Sequence, residues 1–180
     1  MSAPRTTICG IDPGLSGAIA LIADDDAVAV FDMPVLELKR GGKTKRDVDA
    51  HSLARLLAQP ITHAFVEQVG AMPGQGVSSV FAFGKCFGLV LGILVALGAP
   101  MTLVPPRTWK TKLQVPSAKD AARFRASQLL PQAAHLWPLK KHDGRAEAAL
   151  LALYGSRLGL SQRPSPTDPE PPPLVKRVRT

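Results

Sequence analysis

The sequence has few cysteines, few aromatic residues and few acidic residues. Its 180 residues include two cysteines, Cys9 and Cys86, each in an apolar segment. Two such cysteines exclude a disulfide-stabilised scaffold and a cysteine-based zinc site, because both need several ligating or pairing residues at close spacing. They favour a reducing setting, and we expect a cytoplasmic protein of a bacterial or phage-infected cell.

Long apolar runs are also lacking. The first five residues, Met-Ser-Ala-Pro-Arg, have none of the apolar stretch of a signal peptide. The most apolar run, over residues 87–100, is shorter than a bilayer requires and contains glycine. We therefore expect no membrane role.

Basic residues outnumber acidic ones by 22 to 14, which gives a formal net charge of +8. This balance suits a polyanionic partner such as nucleic acid, although many soluble proteins are also basic. Residues 161–180 contain six prolines and carry a net charge of +2. We expect one folded domain over residues 1–160, with +6 of the charge, and a disordered Pro-rich tail over 161–180.

Short apolar runs alternate with longer helical patterns in the folded part. Five runs with the composition of β-strands cover residues 6–11, 18–22, 28–33, 61–66 and 101–104. Helical patterns cover residues 47–57, 78–97, 106–113, 117–130 and 143–158. The basic segment 38–44 is predicted to be a mobile loop. This order, with the first three strands antiparallel, predicts an α/β fold with a five-stranded mixed sheet flanked by α-helices.

The pattern over 78–97 contains a stripe of small residues at every fourth position. The stripe consists of Gly84, Gly88, Gly92 and Ala96. It would let another element approach closely, either inside the fold or across the seam of a homodimer. The phenylalanines of this helix are predicted to be core contacts rather than base-stacking platforms; they are Phe81, Phe83 and Phe87.

Two acidic residues end predicted strands. Asp12 lies in Gly-Ile-Asp-Pro-Gly-Leu-Ser-Gly over residues 10–17, where proline and glycine turn the chain. A turn-forming aspartate would show the same pattern. Glu67 directly follows Ala-Phe-Val, and burying its charge without a partner would cost several kcal/mol. We therefore expect a cation near Glu67.

Two further acids, Asp143 and Glu147, lie four residues apart in an alanine-rich helix and so share one face. Asp143 could instead only cap that helix. Four carboxylates in one place would repel one another, and the arrangement is understandable chiefly around divalent cations. Oxygen ligands without paired cysteine or histidine select Mg²⁺, or Mn²⁺ in its place, over zinc. Two such ions can activate a water and stabilise the leaving oxygen of a phosphodiester.

These segments resemble the acidic motifs of RuvC-type Holliday junction resolvases, including their divergent phage-borne branch. The resemblance rests on Ile-Asp-Pro-Gly at 11–14, Val-Glu-Gln-Val at 66–69 and Asp-Gly-Arg-Ala-Glu-Ala-Ala-Leu at 143–150. It implies an RNase H-like fold, a homodimer, and two symmetric Mg²⁺-dependent nicks across a four-way DNA junction, with two ions in each active site. Asp12, Glu67 and Glu147 match the family's metal-binding acids, with Asp143 as the fourth.

The resemblance also assigns basic residues. Lys110 and Lys119 match residues that lie near the scissile phosphate, and Lys110 is expected to be catalytic. The set expected to contact DNA consists of Arg40, Lys43, Lys45, Lys85, Arg107, Lys110, Lys112 and Lys119. Solvated surface lysines are the alternative for these positions. Trp109, flanked by cations, could equally stack on DNA or pack in the core.

Two positions depart from the bacterial pattern. Asp143 and Glu147 are four residues apart where the family usually has three, so His142 is an alternative ligand from this helix. Gly70 stands after Glu-Gln-Val, where the bacterial pattern resembles an aromatic residue that stacks at the junction centre.

Other functions would use some of the same residues. The turn at 11–17 also resembles the phosphate loop of actin-like sugar kinases, but those need a second domain that 180 residues cannot hold. A less selective flap or branch nuclease and an RNase H-like hybrid nuclease would use the same acids. A non-catalytic junction-binding protein would keep the basic surface without needing the acids.

Overall fold

A computed structural model describes residues 6–68, 70, 74, 76–118 and 120–159. The tail predicted over 161–180 lies outside these residues. Seven strands are present: β1 (Thr7–Asp12), β2 (Ala18–Ala23), β3 (Val28–Asp32), β4 (Val35–Arg40), β5 (Lys43–Val48), β6 (His63–Glu67) and β7 (Met101–Val104). Five α-helices accompany them: α1 (Ala50–Leu57), α2 (Val77–Ala96), α3 (Pro106–Lys112), α4 (Ala121–Leu129) and α5 (Asp143–Arg157). Short 3₁₀ turns cover Pro131–Leu136 and Lys140–His142.

The main sheet has five strands in the order β3-β2-β1-β6-β7. The first three strands pair antiparallel, whereas β6 pairs parallel with both β1 and β7. The predicted five-stranded mixed sheet flanked by helices is therefore confirmed. Because Ile11 pairs with Val66 in the parallel register, the residues that follow them, Asp12 and Glu67, end neighbouring strands at the same edge.

Strand alternation divides the core between the two faces of this sheet. On one face Cys9 and Ile11 of β1 pack with Leu53 of α1 and Val90 of α2. On the other face β1 lies against α5, and the approach is close because Gly10 has no side chain. A Cβ atom at Gly10 would lie 2.2 Å from the Ala148 oxygen and 2.4 Å from the Ala152 nitrogen.

The basic segment after β3 forms a β-hairpin, so the prediction of a mobile loop over 38–44 is wrong. Strands β4 and β5 pair antiparallel as a separate two-stranded sheet, from Val35 opposite Val48 to Arg40 opposite Lys43. Gly41 and Gly42 form the turn with positive φ angles of 55° and 72°, which glycine adopts without strain. The two strands consist mainly of polar and charged residues. They therefore lack the apolar alternation from which a strand is predicted in a sequence.

The hairpin also changes where the first helix begins. Helix α1 starts at Ala50 rather than at Asp47, and Asp49 caps it by accepting hydrogen bonds from the backbone N–H groups of His51 and Ser52. Asp47 instead belongs to β5, where its carboxylate pairs with Lys85 of α2. This ion pair joins the hairpin to α2.

Helix α2 buries one narrow face, formed by Cys86, Val90 and Leu94. Its glycine stripe faces open space, since a Cβ atom at Gly84, Gly88 or Gly92 would meet nothing within 4 Å. The alternative of an internal close contact is thus wrong for the described residues. Three large apolar side chains are also exposed, and Phe81, at 72% exposure, is not the core contact predicted; the others are Val77 and Val95.

By length and composition, α2 could cross a membrane. The helix spans 20 residues and begins ten residues before the apolar run over 87–100, so it is longer than that run indicates. One such helix is weak evidence of a membrane segment, because core helices of soluble proteins pass the same test.

Gly10→Ala is expected to lower the free energy of unfolding by about 2 kcal/mol or more, because the added methyl group would meet backbone atoms of α5 that cannot rotate away. Chemical denaturation followed by circular dichroism measures this change. Gly14→Ala is the matched control, since its methyl group would only touch the Phe83 ring at 3.5 Å. Equal stability of the two variants would contradict the close packing of α5 on β1.

Candidate metal centre

A tight turn after β1 fixes the first acidic side chain. The Gly17 N–H donates to the Gly14 carbonyl at 2.9 Å, and a Cβ atom on Gly17 would lie 2.1 Å from the Asp12 backbone oxygen. Only glycine fits there, so the turn folds back over Asp12 and holds it at the sheet edge. Glu67 reaches the same edge as the last residue of β6 and is 7% exposed.

Helix α5 brings in the third carboxylate. Its first turn packs on the loop after β1, where a Cβ atom at Gly144 would lie 2.6 Å from the Ser16 oxygen and 3.0 Å from Oδ2 of Asp12. The fully buried Ala146 and Ala148 on either side of Glu147 keep the helix close to the sheet. As a result, Asp12, Glu67 and Glu147 each offer a carboxylate oxygen within 4.8 Å of the others.

This convergence makes the charged forms of two acids costly. Burial, together with the negative charges of Glu147 and Glu67, holds the pKa of Asp12 well above its usual range. Burial and then the charge of Glu147 raise the pKa of Glu67, while a hydrogen bond from Trp109 partly lowers it. The folded protein therefore gains from any cation that enters the cluster.

Helix α3 contacts two of the three acids through neighbouring residues. The Lys110 ammonium donates to Oε1 of Glu147 at 2.6 Å. Burial alone would lower the pKa of Lys110, but its hydrogen bond to Glu147 and the surrounding negative charges raise it. The Trp109 indole N–H donates to Oε1 of Glu67 at 3.0 Å. Lys110 thus remains charged beside the acids, and Trp109 lies in the core rather than on a DNA-facing surface.

The two alternative ligands at the start of α5, Asp143 and His142, lie in different surroundings. Asp143 lines the same cleft as Asp12 and Glu147 but is outside the group of three within 4.8 Å. Its Oδ1 atom is buried and has no hydrogen-bond partner within the described part of the chain. His142 accepts a hydrogen bond from the Leu139 backbone N–H and lines a separate cavity with Asp32 and Arg145. The geometry favours Asp143 over His142 as a fourth ligand.

The residues fit a hard divalent cation. Three carboxylates lie within the distance that one or two ions could bridge, and the unpartnered Asp143 oxygen points to a missing positive group nearby. The group of three contains neither cysteine nor histidine, the ligands that would favour zinc. An acidic centre able to hold a divalent metal ion is therefore present.

A cleft of about 800 Å³ opens onto Asp12, Asp143 and Glu147. One wall is the β4–β5 hairpin, which contributes Thr44, Lys45 and Arg46, and the opposite wall is the start of α2 with Ser78 and Phe83. Because the hairpin is basic and the floor is acidic, the cleft can accept a polyanion along its wall and a metal ion at its floor.

The other predicted DNA contacts are distributed around the cleft. Arg107 and Lys112 are exposed on α3 next to Lys110, whereas Lys85 is engaged with Asp47. Arg40 and Lys43 lie at the hairpin turn. Lys119 falls outside the described residues.

Two contacts near the centre carried no signal in the sequence. The sequence around Trp109 allows both DNA stacking and core packing, and its bond to Glu67 depends on how α3 packs. Arg145 lies between Asp143 and Glu147 in the acidic motif, and its guanidinium donates two hydrogen bonds of 2.6 Å to Asp32 of β3. It also donates to the Leu136 carbonyl. This residue fastens the start of α5 to the edge of the sheet.

Comparison with known proteins gives one sequence relative and a structural neighbour. No protein-family model matches the chain. The chain is similar to the chloroplastic Holliday junction resolvase MOC1 of Chlamydomonas reinhardtii, with 31% identity over 150 residues, which cover 71% of this chain and 17% of that protein. The chain thus spans under a fifth of the length of this relative.

One structural neighbour is T. thermophilus RuvC, solved in complex with a Holliday junction substrate. It aligns with a TM-score of 0.55 over 86% of this chain and 97% of that chain, at 15% sequence identity. At this identity the alignment establishes the fold, which is RNase H-like as the acidic motifs implied.

Asp12→Asn is expected to raise the free energy of unfolding of the metal-free protein at pH 7 by about 0.5–2 kcal/mol, as expected when a destabilising functional group is removed. The sign follows from the raised pKa of Asp12: its charged form opposes folding above its ordinary pKa. Stabilisation by added Mn²⁺ should disappear in the same variant. Thermal unfolding with and without Mn²⁺ measures both effects.

Asp32→Asn is the control of opposite sign. The hydrogen bond from Arg145 lowers the pKa of Asp32, so its charge favours the folded state and the variant should be less stable than the original chain. If Asp12→Asn destabilised the metal-free protein as well, the acids would not be repelling one another.

Proposed function

We propose that the chain is a RuvC-type member of the RNase H-like superfamily and a metal-dependent endonuclease that resolves four-way DNA junctions; its similarity to a Holliday junction resolvase and its RNase H-like fold support this. The observation that carries the proposal is the convergence of carboxylate oxygens of Asp12, Glu67 and Glu147 within 4.8 Å of one another. Asp12 and Glu147 line the floor of a cleft with a basic wall. A reducing cytoplasm is the proposed setting, in which the buried Cys9 and Cys86 stay as thiols.

In the proposed mechanism, Asp12, Glu67 and Glu147 would hold Mg²⁺, or Mn²⁺ in its place, and Asp143 would complete the set. Two bound ions would supply an activated water and charge stabilisation for phosphodiester hydrolysis. The protein's own part is to hold the carboxylates rigidly, since Glu67 ends a buried strand and Glu147 is packed by alanines. Preorganised ligands need no rearrangement when the substrate arrives.

Lys110 has a separate proposed role. Its ammonium lies at the cleft and remains protonated, and it bonds only one oxygen of Glu147. In the presence of DNA the same ammonium can neutralise the charge that develops on the scissile phosphate, while its bond to Glu147 keeps it in place. A lysine fits because it acts as a compact point charge.

The hairpin is the proposed contact for a DNA arm. Lys45 and Arg46 are exposed on the cleft wall, and Arg46 is oriented by its hydrogen bond to the Leu15 carbonyl. Phosphate contacts of this kind position the duplex without reading its sequence. Arg107, Lys110 and Lys112 on α3 extend the basic surface on another side of the acids. These surfaces would hold the two flanks of the nicking site.

A homodimer is the proposed assembly. Symmetric nicking of a four-way junction needs two active sites, and the described residues contain one acidic group of this kind. Helix α2 offers a surface for pairing, because its glycine stripe is open and Val77, Phe81 and Val95 are 86%, 72% and 66% exposed. Large exposed apolar surfaces in soluble proteins commonly mark interfaces.

A flap, branch or hybrid nuclease is the second candidate, since the same acids would serve it. A non-catalytic junction-binding protein is disfavoured by one observation: the acids are held together although burial and mutual repulsion raise the pKa of Asp12 and Glu67. A protein that only bound DNA would gain stability by losing them.

Cleavage is tested on end-labelled four-way junctions, flaps, forks, duplex DNA and RNA–DNA hybrid, each with Mg²⁺. We expect paired symmetric nicks on the junction. Asp12→Asn and Glu67→Gln should reduce nicking by at least about 10³-fold, because the metal centre supplies the chemistry, yet leave junction binding unchanged. Preferred cutting of the hybrid, or loss of binding in both folded variants, would contradict the proposal.

The homodimer is tested by analytical ultracentrifugation of Gly88→Arg. An arginine in the open stripe should convert the dimer to a monomer and replace paired nicks by single ones. Phe124→Arg is the control, because Phe124 is 66% exposed on α4 and lies outside the stripe. A monomeric original chain, or a dimer that survives Gly88→Arg but not Phe124→Arg, would rule out α2 as the seam.

A further inference from the structure

The chain contains two tryptophans, and one of them donates a hydrogen bond to an acid of the metal centre. Trp109 is fully buried, at 0% exposure, and belongs to the core cluster that also includes Val104 and Leu113. A buried indole N–H needs a hydrogen-bond acceptor, and most side-chain donors find a backbone group or water. The acceptor here is Oε1 of Glu67, an acid of the metal centre, at 3.0 Å.

This bond limits how the Glu67 carboxylate can turn. The last torsion of a glutamate side chain is broad, so an unbonded carboxylate could present either oxygen at many angles. A large aromatic ring packed in the core cannot move without disturbing its neighbours. Since the ring is fixed, the bonded oxygen is fixed, and the second oxygen of Glu67 has a defined direction.

The donor is also of a suitable kind. An indole N–H is neutral, so it orients a carboxylate without cancelling the negative charge that attracts a cation. The next residue, Lys110, bonds Glu147 with a full positive charge, and its ammonium lies 5.1 Å from the centre of the Trp109 ring. Two consecutive residues of α3 thus bind two acids in different ways. Trp109 is a neutral donor to Glu67, and Lys110 is a cationic donor to Glu147.

We propose that Trp109 is a positioning residue for the metal centre, which sets the orientation of the Glu67 carboxylate through its indole N–H. This inference rests on the proposed function, because it assigns to Glu67 the role of a metal ligand. Hydrogen-bonded partners of metal ligands elsewhere contribute about 10–100-fold to metal affinity or activity.

The test is Trp109→Phe, which keeps an aromatic ring in the core and removes the donor. Mn²⁺ affinity measured by titration calorimetry should fall by about 10–100-fold. Nicking should need correspondingly more Mn²⁺ to reach half its maximal rate, and the rate at saturating Mn²⁺ should be reduced much less. This split separates a defect in metal binding from a general loss of folded protein.

The chain provides a matched control in Trp137→Phe. Trp137 is 2% exposed, and its indole N–H donates to Oγ of Ser127, also at 3.0 Å. Both substitutions therefore remove a buried indole donor, but only one acceptor is a carboxylate of the centre. Equal Mn²⁺ affinities in the two variants, with the original chain binding Mn²⁺ normally, would overturn the inference and leave the proposed function standing. An original chain that binds no Mn²⁺ would refute both.

A second measurement does not require Trp109→Phe to fold. Two tryptophans give two indole N–H signals in a ¹H–¹⁵N spectrum, and Trp137→Phe assigns them by removing one. Titration of the original chain with Mg²⁺ should shift the Trp109 signal and leave the Trp137 signal in place. Mg²⁺ binding that shifts neither signal, or only that of Trp137, would overturn the inference.

Discussion

The repulsion among Asp12, Glu67 and Glu147 is the constraint on which the rest of this structure depends. Three carboxylates within 4.8 Å oppose folding, and the shifted pKa values of Asp12 and Glu67 record that cost. The fold keeps them together by backbone features that side-chain motion cannot relax. These features are the parallel register of β1 with β6, the glycine turn after Asp12 and the packing of α5 directly on β1.

The structure separates rigid acids from exposed bases, and this separation matches the two tasks of a nuclease. Asp12 and Glu67 end buried strands. Glu67 and Glu147 accept bonds from Trp109 and Lys110, so the geometry of the acids is set before any ligand arrives. The bases lie on the β4–β5 hairpin and on exposed positions of α3, where they can adjust to a DNA backbone. Chemistry requires fixed distances, whereas binding through phosphates is governed by charge and tolerates variation in position.

Helix α2 has one face packed on the main sheet and another face that is open. Cys86, Val90 and Leu94 hold it to the sheet, and Lys85 ties it to the hairpin through Asp47. On its opposite face, an added Cβ at the stripe glycines would meet nothing within 4 Å, and Phe81 is 72% exposed. A second copy seated on this face would couple the orientation of two clefts to the same helix, since the start of α2 is also a wall of the cleft.

Residue order alone predicts the five-stranded sheet and the acidic residues. The signals for them are local: apolar runs end at Asp12 and Glu67, and alanines surround Glu147. The spacing of apolar residues along a strand or a helix predicts which face is buried. Tertiary packing, by contrast, produces the hairpin, the open face of α2, the position of His142 outside the acid cluster, and the bond from Trp109 to Glu67. Each of these depends on contacts between surfaces that are distant in the chain. Trp109 and Glu67, for example, are 42 positions apart, so no local sequence pattern predicts their contact.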